Sequence, residues 1–206
     1  MKTCILNLFF CLFLIGKSSA QQNLLENSSF EEDIPVCCQV PVYWYDCADP
    51  FEKVTPVDIQ PGSFGVTKHA AEGHNYLGMV VRDNGTTESI GQTLSEELRK
   101  DSMYLLTISV SRSEMYASIS ITTGQPAQYS TPVVLKIWGG SRYCERHQLL
   151  GITEPVTNTE WMEYEFDIFP ETDISDISLE ACFDEKTKFS YNGNILIDNI
   201  ILTKTP

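Results

Sequence analysis

The sequence contains few histidines and few basic residues, and it lacks the motifs that define several large enzyme classes. Only 3 histidines occur in 206 residues, and His69, His74 and His147 do not follow the spacing of a metal-binding motif. There is no Gly-x-Ser-x-Gly nucleophile elbow, no His-Glu-x-x-His helix and no phosphate-binding loop. Because the common hydrolase and nucleotide-binding signatures are missing, we expect the protein not to be an enzyme.

Positive charge is also scarce, since 14 lysines and arginines stand against 28 acidic residues and the net charge is −14. A surface of this sign repels nucleic-acid phosphates and anionic membranes. After residue 20, no apolar run approaches the roughly 20 residues of a transmembrane helix. We therefore expect no nucleic-acid partner and no transmembrane segment.

The first residues of the chain have the pattern of a secretory signal peptide. Lys2 is followed by an apolar run, Ile5–Gly16, and then by the small residues Ser18-Ser19-Ala20 at a cleavage position. We assign residues 1–20 to a signal peptide and residues 21–206 to a single domain, which is long enough to bury a substantial core. The pattern predicts a secreted, periplasmic or cell-surface protein.

The rest of the chain consists mainly of short segments in which apolar and polar residues alternate. In Trp161–Ile168, apolar side chains alternate with acidic ones, which is typical of a strand with one buried and one solvated face. Clusters of Gly, Pro, Asn and Asp separate about nine to eleven such segments. The pattern predicts an all-β protein, folded as a two-sheet antiparallel sandwich of the jelly-roll kind.

Three segments lead to more local predictions. Tyr76–Val81 and Glu88–Leu94 flank the turn Asp83-Asn84-Gly85, which predicts a β-hairpin. Ser95–Lys100 has a helical composition but is long enough for little more than one turn. The segment 31–62 is rich in proline, cysteine and aromatic residues, and we expect it to form a long surface excursion.

An acidic residue interrupts the last apolar segment, Ile195–Leu202. Asp198 shares one strand face with apolar neighbours, and a buried carboxylate needs a cation or several hydrogen-bond donors. Near the start of the mature chain, a strand is predicted to end in a turn at Glu31. If the two ends pair, the carboxylates of Glu31 and Asp198 and backbone carbonyls from Asn27 onwards would suit calcium. The alternative is that backbone N–H groups or a lysine satisfy Asp198.

Five cysteines remain after the signal peptide, an odd number for an oxidising compartment. The simplest arrangement is two disulfides and one free thiol. We predict one bond between Cys144 and Cys182, and a second between Cys47 and either Cys37 or Cys38. A zinc site is the competing interpretation, although adjacent cysteines without a Cys-x-x-Cys pair are a weak signal for it.

The two ends of the domain resemble a known family. Asn23–Glu31 and Ile195–Ile200 are similar to the paired terminal signatures of jelly-roll carbohydrate-binding modules of the galactose-binding-like superfamily, of the family 4, 9 and 22 type. The resemblance implies a structural calcium ion held by side chains of Glu31 and Asp198 and by backbone carbonyls. Tyr76–Asp83 and Leu135–Gly140 also resemble segments of exported proteins from Bacteroidetes-type bacteria.

Sugar sites combine an aromatic platform with a few polar groups for the hydroxyls. The candidate residues for such a site on one concave face are Arg82, Glu88, Trp138 and Tyr143. Arg82 and Glu88 have an alternative role, because they flank one predicted hairpin and could pair with each other. We predict a secreted, non-catalytic module that binds a saccharide; the alternative is an adhesion or cell-envelope structural protein that binds envelope proteins without a small ligand.

Overall fold

A computed structural model describes residues 22–34, 37–48 and 56–205. These residues include no helix that is long and apolar enough to cross a membrane. The predicted signal peptide, residues 1–20, lies outside the described residues. The described part of the chain contains the following thirteen strands: β1 (Tyr45–Asp46), β2 (Asp58–Gln60), β3 (Tyr76–Val81), β4 (Ser89–Leu98), β5 (Tyr104–Ser111), β6 (Ala117–Ile119), β7 (Pro126–Gln128), β8 (Thr131–Pro132), β9 (Val134–Gly140), β10 (Gln148–Ile152), β11 (Met162–Ile168), β12 (Ile174–Cys182) and β13 (Gly193–Lys204).

The strands form two facing sheets and a small hairpin. A five-stranded sheet has the order β1-β4-β12-β9-β10, and a six-stranded sheet has the order β11-β5-β13-β3-β2 with β8 beside β13. All pairings within the two sheets are antiparallel except that of β8 with β13. The all-β, two-sheet antiparallel jelly-roll sandwich predicted from the alternating pattern is therefore confirmed.

The main core lies between the two sheets and follows from the alternation along each strand. Leu106 and Ile108 of the six-stranded sheet belong to the same buried cluster as Ile137 and Leu179 of the five-stranded sheet. Burying side chains of this size contributes roughly 1.5–3 kcal/mol each. Because these apolar side chains point into the core, the opposite side of each strand remains available for other contacts.

Strand β3 is buried on both sides, because a second, smaller cluster covers the outer face of the six-stranded sheet. Tyr76 and Val80 point away from the main core and pack with Tyr116, Tyr129 and Leu196. We call this part of the sheet, at β2, β3 and β13, the covered face. Its counterpart on the five-stranded sheet carries no such second cluster among the described residues.

Two of the local predictions are wrong. Tyr76–Val81 is a strand as expected, but β3 and β4 belong to different sheets, and an isolated bridge links Val81 to Thr87 in the segment before β4. The turn after β3 is thus a crossover between the layers and not a hairpin. In place of the predicted helical turn at Ser95–Lys100, Ser95–Leu98 form the end of the long strand β4, where Leu98 pairs with Ile174, and Lys100 lies in the turn that follows.

The two ends of the domain lie side by side, but the first segment is not a strand. Residues 24–29 form bends and a turn. They follow β13 through hydrogen bonds from the Leu24 N–H to the Leu202 carbonyl and from the Ile200 N–H to the Ser28 carbonyl, each 2.9 Å long. Asn23 also caps this part of β13 with its side chain. Side-chain bonds thus replace the regular ladder that the sequence predicted.

Candidate functional site

Arg82 and Glu88 lie inside the protein, where the chain crosses from β3 to β4. Their side chains form an ion pair, and the residues are 6% and 1% exposed. The second oxygen of Glu88 accepts the Val80 N–H at 2.9 Å. Burial raises the pKa of Glu88 to about 8, although the Arg82 charge opposes this shift. The prediction that these two residues line a sugar face with Trp138 and Tyr143 is therefore wrong; they pair with each other.

Trp138 and Tyr143 lie on the opposite side of the molecule, at the outer face of the five-stranded sheet. Because side chains alternate along a strand, β12 directs Ile177, Leu179 and Ala181 into the core. The alternate positions of β12, Asp176, Ser178 and Glu180, lie on the outer side together with Trp138, which pairs with Ser178. We call this outer surface the open face.

Trp138 belongs to a connected polar group on the open face. Its indole Nε1 donates a hydrogen bond to Oε2 of Glu180 at 2.8 Å. The other carboxylate oxygen, Oε1, lies 3.1 Å from the guanidinium of Arg146, and the Glu180 side chain is 13% exposed. A carboxylate and a guanidinium are thus held next to a partly exposed indole ring.

A stacked pair of tyrosines stands across the sheet from Trp138. The rings of Tyr45 and Tyr143 have centroids 3.8 Å apart at an angle of 26°, and Tyr143 is 62% exposed. The hydroxyl of Tyr45 donates to Oδ1 of Asp176 at 2.7 Å. The Tyr45 ring and the Sγ atom of Cys47 lie against Gly91, where an added side chain would clash with both. Glycine at this position allows the tyrosine pair to lie close to the sheet.

The two aromatic groups flank a strip of small residues. Tyr45 pairs with Gly91, Gly91 with Ser178, and Ser178 with Trp138. Three strand spacings of about 4.8 Å separate the first residue from the last, or roughly 14 Å. The buried hydroxyl of Ser178 has no hydrogen-bond partner among the described residues. We call this strip between the two aromatic groups the trough; Ser178 in its floor is only 2% exposed.

A disulfide lies at one end of this trough, and its pairing differs from the predicted one. Cys47, next to β1, is bonded to Cys144 in the loop after β9, with Cα atoms 5.4 Å apart. Neither the Cys144–Cys182 bond nor a bond from Cys47 to Cys38 or Cys37 is present, since Cys37, Cys38 and Cys182 are free thiols. The reason is register: Cys182 pairs with Val134, at the opposite end of β9 from the Cys144 loop.

Hydrogen-bond donors face the three predicted calcium ligands. Asp198 is fully buried and accepts the N–H groups of Ala71 and Glu72 at 2.7 and 3.0 Å. Oε1 of Glu31 accepts two N–H groups of the same loop, at His74 and Asn75, and the Asn27 carbonyl accepts from the side chain of Trp44 and the Phe30 N–H.

This geometry matches the alternative in which N–H groups satisfy Asp198. Burial raises the pKa of Asp198 to about 6, while the three N–H donors oppose this shift. Calcium requires six to eight oxygen ligands, and both oxygens of Asp198 and Oε1 of Glu31 already accept hydrogen bonds. The residues as placed do not form an oxygen shell, and calcium binding stays a prediction.

Sequence reasoning did not select several residues of the open face. Tyr45, Arg146, Asp176 and Glu180 meet at the trough, although they come from three separate segments: β1, the loop after β9, and β12. A signal for two of them exists within β12, where Asp176 and Glu180 alternate with apolar residues. No local pattern points to Arg146, which reaches Glu180 from the loop after β9.

No protein-family model and no curated protein matches this sequence. Solved structures similar in fold include a cyclase, a xylan-binding domain and an adhesin domain. A Stig cyclase from Fischerella sp. TAU, in complex with (3Z)-3-(1-methyl-2-pyrrolidinylidene)-3H-indole, is 17% identical with a TM-score of 0.54, over 91% of this chain and 99% of that chain. The CBM22-1 xylan-binding domain of Xyn10C from Paenibacillus barcinonensis is 14% identical with a TM-score of 0.51, over 91% and 97%.

The third similar structure is the K3 cleaved adhesin domain of Lys-gingipain from Porphyromonas gingivalis w83. It is 14% identical with a TM-score of 0.51, over 89% of this chain and 99% of that chain. At such identities a likeness shows the fold alone. The resemblance to carbohydrate-binding modules is thus confirmed as a resemblance of the β-sandwich, which cyclases and an adhesin domain share.

Proposed function

We propose that the protein is an exported, non-catalytic carbohydrate-binding module that holds a neutral or weakly charged saccharide on the open face. The observation that carries the proposal is the trough between Trp138 and the stacked Tyr45–Tyr143 pair. Its aromatic sides suit the C–H faces of sugar rings, and its polar groups suit their hydroxyls. The similarity in fold to a xylan-binding domain is consistent with this role.

The polar groups of the trough are oriented before any ligand arrives. Glu180 is held by Trp138 and Arg146, so its remaining lone pairs have a defined direction for a sugar hydroxyl. Few contacts and a polar surface that is costly to desolvate favour modest affinity, with a Kd in the micromolar to millimolar range.

A binding role is preferred to catalysis because of where the perturbed acids lie. Burial raises the pKa of Asp58, Glu88 and Asp198, and acids of this kind are the usual candidates for acid-base catalysis. All three lie away from the trough, in the interior or on the covered face. The fold itself does not decide the matter, because cyclases share it.

Export is the second part of the proposal. It rests on the signal-peptide pattern of residues 1–20. The disulfide between Cys47 and Cys144 supports it, since such bonds persist in oxidising compartments. Mass spectrometry of the mature protein from its native host would test both features, with cleavage after Ala20 as the expected result.

Calcium at Glu31 and Asp198 is a separate proposal taken from the resemblance. What supports it is that both carboxylates reach one loop, residues 71–75. If calcium binds there, stability should increase by roughly 2.7 kcal/mol at a hundredfold excess over Kd. Identical melting temperatures in EDTA and in millimolar calcium would exclude it.

The carbohydrate proposal is tested by a glycan array followed by calorimetry on the purified mature protein. For any glycan that binds, we expect Trp138→Ala to weaken binding at least tenfold. Trp161→Ala is the matched control, because Trp161 packs on Tyr76 at the other sheet and should leave the Kd unchanged. Circular dichroism of both variants checks folding.

Two outcomes would contradict the proposal. One is unchanged binding in Trp138→Ala, which would move the site away from the trough. The other is the absence of binding to every glycan, which would favour the adhesion or cell-envelope role.

A further inference from the structure

Two thiols and one carboxylate meet at the edge of the six-stranded sheet, away from the trough. The Sγ atoms of Cys37 and Cys38 and a carboxylate oxygen of Asp58 all lie within 4.8 Å of one another. Cys37 is exposed and Cys38 is half-buried, while Asp58 is 4% exposed. The group therefore has one side open to solvent and one side inside the protein.

The carboxylate is held in place from two directions. Asp58 begins β2, and its Oδ1 accepts the Cys38 N–H at 3.0 Å. The buried hydroxyl of Tyr116 donates to Oδ2. The Gln39 N–H also bonds to the Val57 carbonyl at 3.0 Å, so the cysteine segment is attached to the start of β2. Outer hydrogen bonds of this kind orient the ligands of metal sites.

Thiolate and carboxylate ligands at this spacing suit a small, borderline-soft divalent ion. In a tetrahedral zinc site, Zn–S bonds of about 2.3 Å and Zn–O bonds of about 2.0–2.2 Å place neighbouring ligand atoms roughly 3.5–4 Å apart. A hard ion such as calcium is disfavoured, because it prefers an all-oxygen shell. The exposed Cys37 provides a path by which an ion can enter.

We propose that Cys37, Cys38 and Asp58 bind one zinc ion, with solvent as the fourth ligand. The ion would join the segment before β1 to the edge strand β2. Both thiols must lose their protons on binding. Apparent affinity should therefore increase as the pH is raised.

The test is equilibrium dialysis of the purified full chain against zinc, without a reductant so that the Cys47–Cys144 bond remains intact. We expect one ion per chain. Cys38→Ser and Asp58→Asn should each weaken binding at least tenfold. Cys182→Ser is the matched control, because it removes another free thiol, one that the zinc group does not contain, and it should bind zinc like the wild type.

Cobalt provides a second readout that depends on the ligands. Thiolate-to-cobalt charge-transfer absorption should appear in the wild type and in Cys182→Ser, and it should weaken in Cys37→Ser. Cys37 is exposed, so this variant should fold even if Asp58→Asn does not.

The proposal would be overturned if Cys38→Ser and Cys37→Ser both bound zinc as tightly as the wild type. It would equally be overturned if peptide mapping found Cys37 and Cys38 joined to each other in a disulfide.

Discussion

The covered face and the open face are the outer surfaces of two sheets with the same alternating pattern, but they satisfy their polar groups differently. On the covered face, backbone N–H groups of a loop bind Asp198, and a buried tyrosine hydroxyl binds Asp58. On the open face, side chains bind the acids: hydroxyls at Asp176, and an indole and a guanidinium at Glu180.

This difference in donors indicates which face contributes to stability and which face is suited to recognising a ligand. Backbone N–H groups cannot rotate towards another partner as side-chain groups can, so a carboxylate that accepts them is part of the fold. Side-chain hydroxyls and guanidinium groups can exchange a protein partner for water or a ligand at little cost. We therefore expect substitutions on the covered face to change stability, and substitutions on the open face to change binding.

The largest effect is expected from Glu88→Gln, which removes the buried carboxylate charge that pairs with Arg82. Breaking a buried ion pair in this way costs about 3–5 kcal/mol. Glu180→Gln, on the open face, should cost less than about 1 kcal/mol. Urea denaturation of both variants measures the contrast, and equal losses would contradict the distinction between the two faces.

Replacing both charged partners is the complementary control. In the double variant Arg82→Met with Glu88→Leu neither charge of the buried pair remains, so it should be more stable than Glu88→Gln alone. If the double variant were less stable than Glu88→Gln, the Arg82–Glu88 pair would contribute more to stability than the mutual neutralisation of its two charges.

A second contrast compares Asp198 with Asp176, two aspartates that each accept three hydrogen bonds. Asp198→Ala leaves the N–H groups of Ala71, Glu72 and Asn199 without their acceptor, and we expect a loss of about 2–3 kcal/mol. Asp176→Ala frees three hydroxyls, which can rotate to water, and should cost about 1 kcal/mol. Thermal melts of the two variants in EDTA would show the difference, and a larger loss for Asp176→Ala would reverse our assignment.

The pH dependence of stability offers a third comparison. Burial raises the folded-state pKa of Asp198 from 3.8 to about 6, so between these values the folded state holds more protons than the unfolded state. In EDTA, the free energy of unfolding should therefore decrease as the pH rises from about 4 to about 6. Asp198→Asn should lack this part of the decrease, whereas Glu180→Gln should keep it; parallel slopes for wild type and Asp198→Asn would contradict the assignment.

The smallest change in stability is expected for Trp138→Phe. It removes the bond from Nε1 to Glu180 but keeps an aromatic ring, and Arg146 still pairs with Glu180. We expect a loss of about 0.5–1 kcal/mol together with a several-fold weaker Kd for any bound glycan. Calorimetry on the folded variant measures the second effect, and unchanged binding would indicate that only the ring face contributes.

Much of the strand content was readable from the sequence, because alternation is a local property. Tyr76–Val81 is a strand with the predicted bounds, and the acidic alternation of Trp161–Ile168 corresponds to β11. The period of two also showed that Asp198 must be buried. The class of fold followed from the number and spacing of such segments.

The tertiary structure alone decided which strands and side chains meet. A pattern with a period of two tells which face a residue occupies but not which strand lies beside it, so β3 and β4 were read as a hairpin although they belong to opposite sheets. For the same reason Cys144 was given the wrong partner, and Arg146 was not seen to reach Glu180. The site on the open face depends on contacts between distant segments, and such contacts arise from the packing of the whole chain.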